Sequence, residues 1–108
     1  MIIYVDIDHT ICYYKSDPES MKYNEALPYT DRITRINNLF DKGHRIIYWT
    51  ARGTLTNISW FKETMFQLEK WKCKFHELRM GKPVYDLFID DKNISSDAFF
   101  NENYQLKE

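Results

Sequence analysis

The chain has 108 residues, 44% hydrophobic and 17% aromatic, and a formal net charge of -1. That length holds one domain, spanning 1–108, and eight Tyr, seven Phe and three Trp exclude a disordered chain. The balanced charge argues against a nucleic-acid-coating polycation and against a polybasic membrane binder. No apolar run reaches the length of a membrane span.

Cys12 and Cys73 are too few for a disulfide framework and fit no zinc spacing. The start Met1-Ile2-Ile3-Tyr4-Val5-Asp6 has no basic stretch followed by an apolar one. The expectation is a cytoplasmic protein with reduced thiols.

In chain order, Ile2–Ile7 is rich in β-branched residues and predicts a buried strand. Thr10–Pro28 mixes aromatic, charged and turn residues, including Tyr13, Tyr14, Asp17 and Pro18, and predicts a loop or small flap. Ile33, Ile36, Leu39 and Phe40 recur at helical spacing, predicting a helix over Thr30–Lys42 with Thr30 as N-cap and Gly43 just past its end. His44–Trp49 predicts a second strand running into the polar turn Thr50-Ala51-Arg52-Gly53. Asn57–Lys72 predicts a second helix with Phe61, Met65, Leu68 and Trp71 inward, its lysines suiting a helix C-terminus. A weak strand over Phe75–Leu78, a turn at Gly81-Lys82-Pro83, a fourth strand over Val84–Ile89 and a short helix over Ser95–Phe100 complete the pattern. Strands alternating with helices predict a parallel α/β sheet, where functional groups gather beyond the carboxyl ends of the strands.

The residues that interrupt the apolar pattern all fall at that end. Asp6 and Asp8 follow the first strand, Thr50 and Arg52 the second, and Asp90 and Asp91 the last, with Lys82 in the loop before it. Singly, each carboxylate reads better as a cap or turn residue, and Thr50 reads equally well as a turn hydroxyl. Together, four carboxylates without a His or Cys pair suit a hard cation such as Mg²⁺, which commonly bridges carboxylate and substrate phosphate. A hydroxyl (Thr50) and an ammonium (Lys82) are phosphate ligands. The set predicts phosphoryl transfer. Asp6, held at the strand end, is the candidate nucleophile. Asp8, one step into the loop, is the candidate general acid and base, and Lys82 neutralises charge on the transferring group.

Asp6-Ile7-Asp8-His9-Thr10 resembles the DxDGT signature of the haloacid dehalogenase superfamily. Thr50, Lys82 and Asp90-Asp91 resemble its second, third and fourth motifs in the same order. Tyr48-Trp49-Thr50-Ala51-Arg52-Gly53, Gly81-Lys82-Pro83 and Asp86-Leu87-Phe88-Ile89-Asp90-Asp91-Lys92 look like a subgroup of very small phosphatases described as capsule or lipopolysaccharide biosynthesis enzymes.

The resemblance implies a three-layer α/β/α Rossmann-like fold. It also implies Mg²⁺ held by the side chains of Asp6 and Asp90 and the backbone carbonyl of Asp8, with Thr50 on the phosphoryl oxygens and Asp91 orienting Lys82 or a metal-bound water. His9 stands where the family usually has Gly, which puts the local loop geometry in question, and His9 could instead touch substrate. Arg52 and the flap residue Tyr13 are further candidate substrate contacts, each also readable as packing. Only 41 residues separate Asp8 from Thr50 and 31 separate Thr50 from Lys82, too few for the cap domain of larger relatives.

The implied activity is Mg²⁺-dependent hydrolysis of a small phosphorylated metabolite, such as a sugar or polyol phosphate feeding surface polysaccharide synthesis. Two alternatives stand beside it: a nucleotide or nucleic-acid end phosphatase, which the near-neutral charge weakens, and a non-catalytic phosphoacceptor or phosphate-binding domain. The aromatic content leaves a homo-oligomer open.

Overall fold

The computed structural model describes residues 1–16 and 22–108, so the expectations for Asp17 and Pro18 fall outside it. Three parallel strands form the sheet in the order β1 (Ile2–Val5), β4 (Arg45–Trp49), β5 (Glu77–Arg79). Ile2 pairs with Arg45 and Val5 with Tyr48; Ile47 pairs with Glu77 and Trp49 with Arg79. A short antiparallel pair, β2 (Cys12–Tyr13) with β3 (Leu27–Pro28), closes the base of the predicted flap. The radius of gyration is 13.8 Å, against roughly 13 Å for a compact chain of this length.

Helix α1 (Thr30–Asp41) buries Ile33, Ile36 and Leu39 against the sheet. Alternation along a strand puts Ile46 and Tyr48 on one face, and both belong to the cluster holding the α1 residues and Leu68 of α2 (Phe61–Lys70). Asn37 of α1 bonds the carbonyl of Lys72 and the amide of Lys74, just beyond α2. The two helices therefore lie side by side on one face of the sheet. On the other face Tyr4 meets Trp49 edge-on at 5.8 Å and accepts a bond from Arg79. The C-terminal part packs on α1: Arg32 pairs with Asp97 of α3 (Ser96–Phe99), and Arg35 donates to the carbonyl of Tyr104.

Two expected elements differ. Helix α2 begins at Phe61, because Asn57 sits at φ +58, a left-handed conformation that a right-handed helix does not hold, and its amide bonds back to the Gly53 carbonyl of the preceding loop. Its inward face is Thr64 and Leu68, while Phe61 is exposed. The fourth strand is not formed. Val84–Ile89 bends at Asp86, and the rings of Tyr85 and Phe88 meet at 5.3 Å. Residues three apart point to opposite faces in an extended strand, so this contact and a strand exclude each other. The apolar run lies exposed, with Leu87 at 75% and Ile89 at 87%.

Both long helices end in the same hydrogen-bonded motif. After α1, the amides of Gly43 and His44 bond the carbonyls of Phe40 and Leu39, with Gly43 at φ +97. After α2, the amides of Lys72 and Cys73 bond those of Glu69 and Leu68, with Lys72 at φ +60. A lysine there carries the left-handed penalty that glycine avoids, about 1 kcal/mol. Lys72→Gly is accordingly expected to stabilise the protein by about 0.5–1 kcal/mol in urea unfolding. A variant less stable than wild type would refute this.

Candidate active site

The site is built on the loop that leaves β1. Val5 and Ile7 are buried, so Asp6 and Asp8 alternate to the other side. Ile7 and Ile11, both fully buried, pin the loop: the amides of Thr10 and Ile11 bond the Ile7 carbonyl, and that of His9 bonds Cys12. His9 takes φ +65, the left-handed conformation that a glycine in this place would adopt freely. Arg32 bonds the Thr10 carbonyl and Ser96 that of His9, holding the loop from outside.

Asp6 has one carboxylate oxygen 3.1 Å from the Thr10 hydroxyl and the other 3.2 Å from Lys82 Nζ. Burial alone would lower the Lys82 pKa, but the Asp6 charge and hydrogen bonds raise it, keeping the ammonium charged. The backbone brings Lys82 to this position. Its amide bonds the Thr50 carbonyl, its carbonyl accepts from Thr54, and the Thr50 amide bonds Arg79 at the end of β5. The Thr50 hydroxyl is buried and accepts from the Arg52 amide at 3.2 Å.

Asp8 is occupied differently. Arg52, only 3% exposed, grips it through Nε at 3.0 Å and Nη2 at 2.8 Å, and the Tyr14 hydroxyl donates to it at 2.6 Å. Burial would raise the Asp8 pKa, but Arg52 above all, with Tyr14, outweighs it and holds the carboxyl below its ordinary 3.8. Arg52 also bonds Thr64 at 3.1 Å and Gln67 at 2.6 Å and lies over the Tyr23 ring at 4.7 Å. Its N–H groups are thus all engaged within the protein. Arg52, a candidate substrate contact in the sequence, lines the cleft with its fork engaged on Asp8 and α2.

Asp6, Asp8, Thr50, Arg52 and Lys82 line one open cleft of about 890 Å³. The other sequence candidates lie elsewhere. Tyr13 packs on Tyr29 at 4.7 Å, because the β2–β3 pairing turns it away from the cleft. His9 is exposed, with its ring against Tyr14 at 5.7 Å. Asp90 and Asp91 are exposed and outside the cleft, since the segment that would carry them to it as a strand is bent instead. Among the described residues, no three His, Cys, Asp or Glu side chains converge.

The donor set nevertheless fits Mg²⁺ at Asp6. The ion commonly takes one or two carboxylates and completes its shell with phosphate and water, and Asp6 is one-third exposed in a cleft that also bears Asp8, Glu63, Lys22, Lys82 and Arg52. Sequence reasoning did not find Thr64, Gln67, Tyr23 or Trp60. The only available signal was the i, i+3 placement of Thr64 and Gln67 on a helix facing Arg52.

No family model and no curated protein matches the chain. Its fold is similar to that of a protein from Vibrio cholerae solved by crystallography as an MCSG target. That protein has a TM-score of 0.77 and 26% identity, over 91% of this chain and 85% of that one. Among the described residues, no helix is long and apolar enough to cross a membrane.

Proposed function

We propose that the chain is a phosphomonoester hydrolase of the haloacid dehalogenase type, working on a small phosphorylated metabolite through an aspartyl phosphate on Asp6. In this reading the parallel sheet is the core of a Rossmann-like three-layer arrangement, and the protein acts in the cytoplasm. The observation that supports it best is the setting of Asp6. Its carboxylate is fixed between Thr10 and Lys82 at the mouth of a cleft that also holds Thr50 and, two residues on, the anchored Asp8.

An Asp6 oxygen attacks phosphorus, and the bond to the leaving oxygen breaks with its electron pair, which takes a proton from water in the open cleft, because Asp8, ionised at rest, has none to give as the expected general acid. Lys82 and Thr50 bind the phosphoryl oxygens as charge builds on them. Water then attacks the aspartyl phosphate, surrenders a proton to Asp8, and releases inorganic phosphate and free Asp6. Arg52 keeps Asp8 ionised in the resting protein, and the same contacts weaken it as a base, so the second step requires one Asp8 oxygen to be released from Arg52 or Tyr14 to accept the proton. Mg²⁺, held by Asp6 and the Asp8 carbonyl, would supply charge neutralisation on the phosphate.

Phosphate release from p-nitrophenyl phosphate tests this reading. Turnover is expected with Mg²⁺ and only background with EDTA. Turnover indifferent to EDTA would remove the metal, and none under either condition would remove the activity.

A further inference from the structure

The cleft is far larger than a phosphoryl group requires, and its size is that of sites which enclose a whole small molecule. Asp6, Asp8, Thr50, Arg52 and Lys82 make up one part of its lining. The rest is mainly apolar, with Tyr23, Trp60, Leu55, Ile58, Val84 and Tyr85, and Glu63, Asn24 and Lys22 add polar groups beside the two aromatic rings. Within this wall Tyr23 and Trp60 stand out because the fold fixes both. The Tyr23 ring lies on the Arg52 guanidinium, and its carbonyl accepts from Gln67 at 2.5 Å. Trp60 meets Tyr23 edge-on at 5.1 Å. It also closes over Gly53, where a Cβ would stand 2.1 Å from the Ile58 carbonyl and 3.1 Å from the Trp60 ring. Gly53, at φ +83, is thus the residue that lets the loop after β4 fold back and present Trp60. A second groove of about 370 Å³ shares Tyr23, Asn24, Trp60 and Glu63 with the cleft, so the aromatic surface continues past Trp60 and leaves room beyond a single ring.

We propose that the Tyr23–Trp60 wall seats the leaving group of the phosphomonoester, and that this group is a flat aromatic ring system rather than an acyclic polyol. The proposal rests on the reading of Asp6 as the phosphate end. One buried residue spans the two ends: Arg52 touches Asp8 with its edge and Tyr23 with its face. The separation between the reacting phosphate and the ring wall is therefore set before any ligand arrives, and preorganisation of this kind favours ligands of matching length. Rigid aromatic faces favour flat rings, which stack on them. An acyclic polyol offers no face to stack and would leave the apolar wall wet.

The test pairs 1-naphthyl phosphate with glycerol 1-phosphate. Wild type is expected to show kcat/KM at least tenfold higher for the naphthyl ester. Trp60→Ala should lose about tenfold on it, carried by KM, and change less than twofold on the glycerol ester. Trp60→Phe, which keeps a ring, should recover most of the loss, and it remains informative should the alanine variant fail to fold. Calorimetric binding of both esters to Asp6→Asn separates the two proposals. Tighter binding of the naphthyl ester, weakened by adding Trp60→Ala, supports the ring site even where no turnover exists. Equal affinity for both esters, or affinity insensitive to Trp60, overturns it whatever the activity.

Discussion

Arg52→Met is expected to destabilise the protein by about 3–5 kcal/mol, the range seen when one partner of a buried ion pair is removed. The cause is what the guanidinium leaves behind. Asp8 has a side chain only 18% exposed and would keep a charge with no counter-ion. The Thr64 hydroxyl and Gln67 amide would lose their bonds, and the Tyr23 ring its support. Against a total stability of roughly 5–15 kcal/mol, that loss lowers the melting temperature by at least about 10 °C. Arg52→Lys should recover only part, since an ammonium cannot reproduce the fork that spans Asp8, Thr64 and Gln67.

The pH dependence identifies Asp8 as the group responsible. In wild type its folded pKa lies below the ordinary 3.8, so the stability it contributes is present above that value and is lost as pH falls through the folded pKa. In Arg52→Met only the hydrogen bonds from Tyr14 and Cys12 still oppose burial, so the folded pKa rises and protonation relieves the variant as pH falls. The stability gap between the two proteins should therefore narrow toward pH 3. A gap below about 1 kcal/mol at pH 7, or one that widens in acid, would contradict the ion-pair account.

The sequence was most legible where chemistry and local pattern coincide. Asp6, Asp8 and Thr50 interrupt or follow an apolar run, Lys82 sits in the turn before one, and all four line one cleft. Helix α1 and its glycine stop follow from the spacing of Ile33, Ile36 and Leu39. The periodicity of α2 misled because Thr64, a polar residue, occupies a buried position to meet Arg52, and hydrophobicity alone placed Phe61 inward in its stead. Val84–Ile89 shows the limit of the β pattern. Six residues of strand-like composition become a strand only with a ladder partner, and here local ring stacking and a bend prevail. Arg52 was visible in the sequence as a charge near the site, but its role depends on contacts with residues 44 positions back and 12 and 15 ahead, which no local pattern encodes.

Asp6→Asn is expected to lower kcat at least about a thousandfold, in line with the loss of other essential nucleophiles. The substitution is nearly isosteric, and Asn can still accept the Thr10 hydroxyl. It removes the negative charge beside Lys82, whose side chain is only 16% exposed, so circular dichroism accompanies the assay, and a spectrum and melting curve close to wild type show that the loss reports chemistry. An amide nitrogen has no free electron pair to form the phosphorus bond, so no step proceeds. Asp8→Asn should behave in another way. p-Nitrophenolate leaves without needing a proton, so phosphorylation of Asp6 still occurs, but water has no base beside it to accept its proton. The expected trace is a burst of about one equivalent of p-nitrophenol per site, then a slow steady rate. Asp6→Asn should give no burst. A burst in both variants would place the nucleophile elsewhere. Asp8→Asn leaves the buried Arg52 without its counter-ion, so its folding is verified by circular dichroism; a burst in neither folded variant, with wild-type turnover intact, would assign Asp8 to the first step and leave the second to another base.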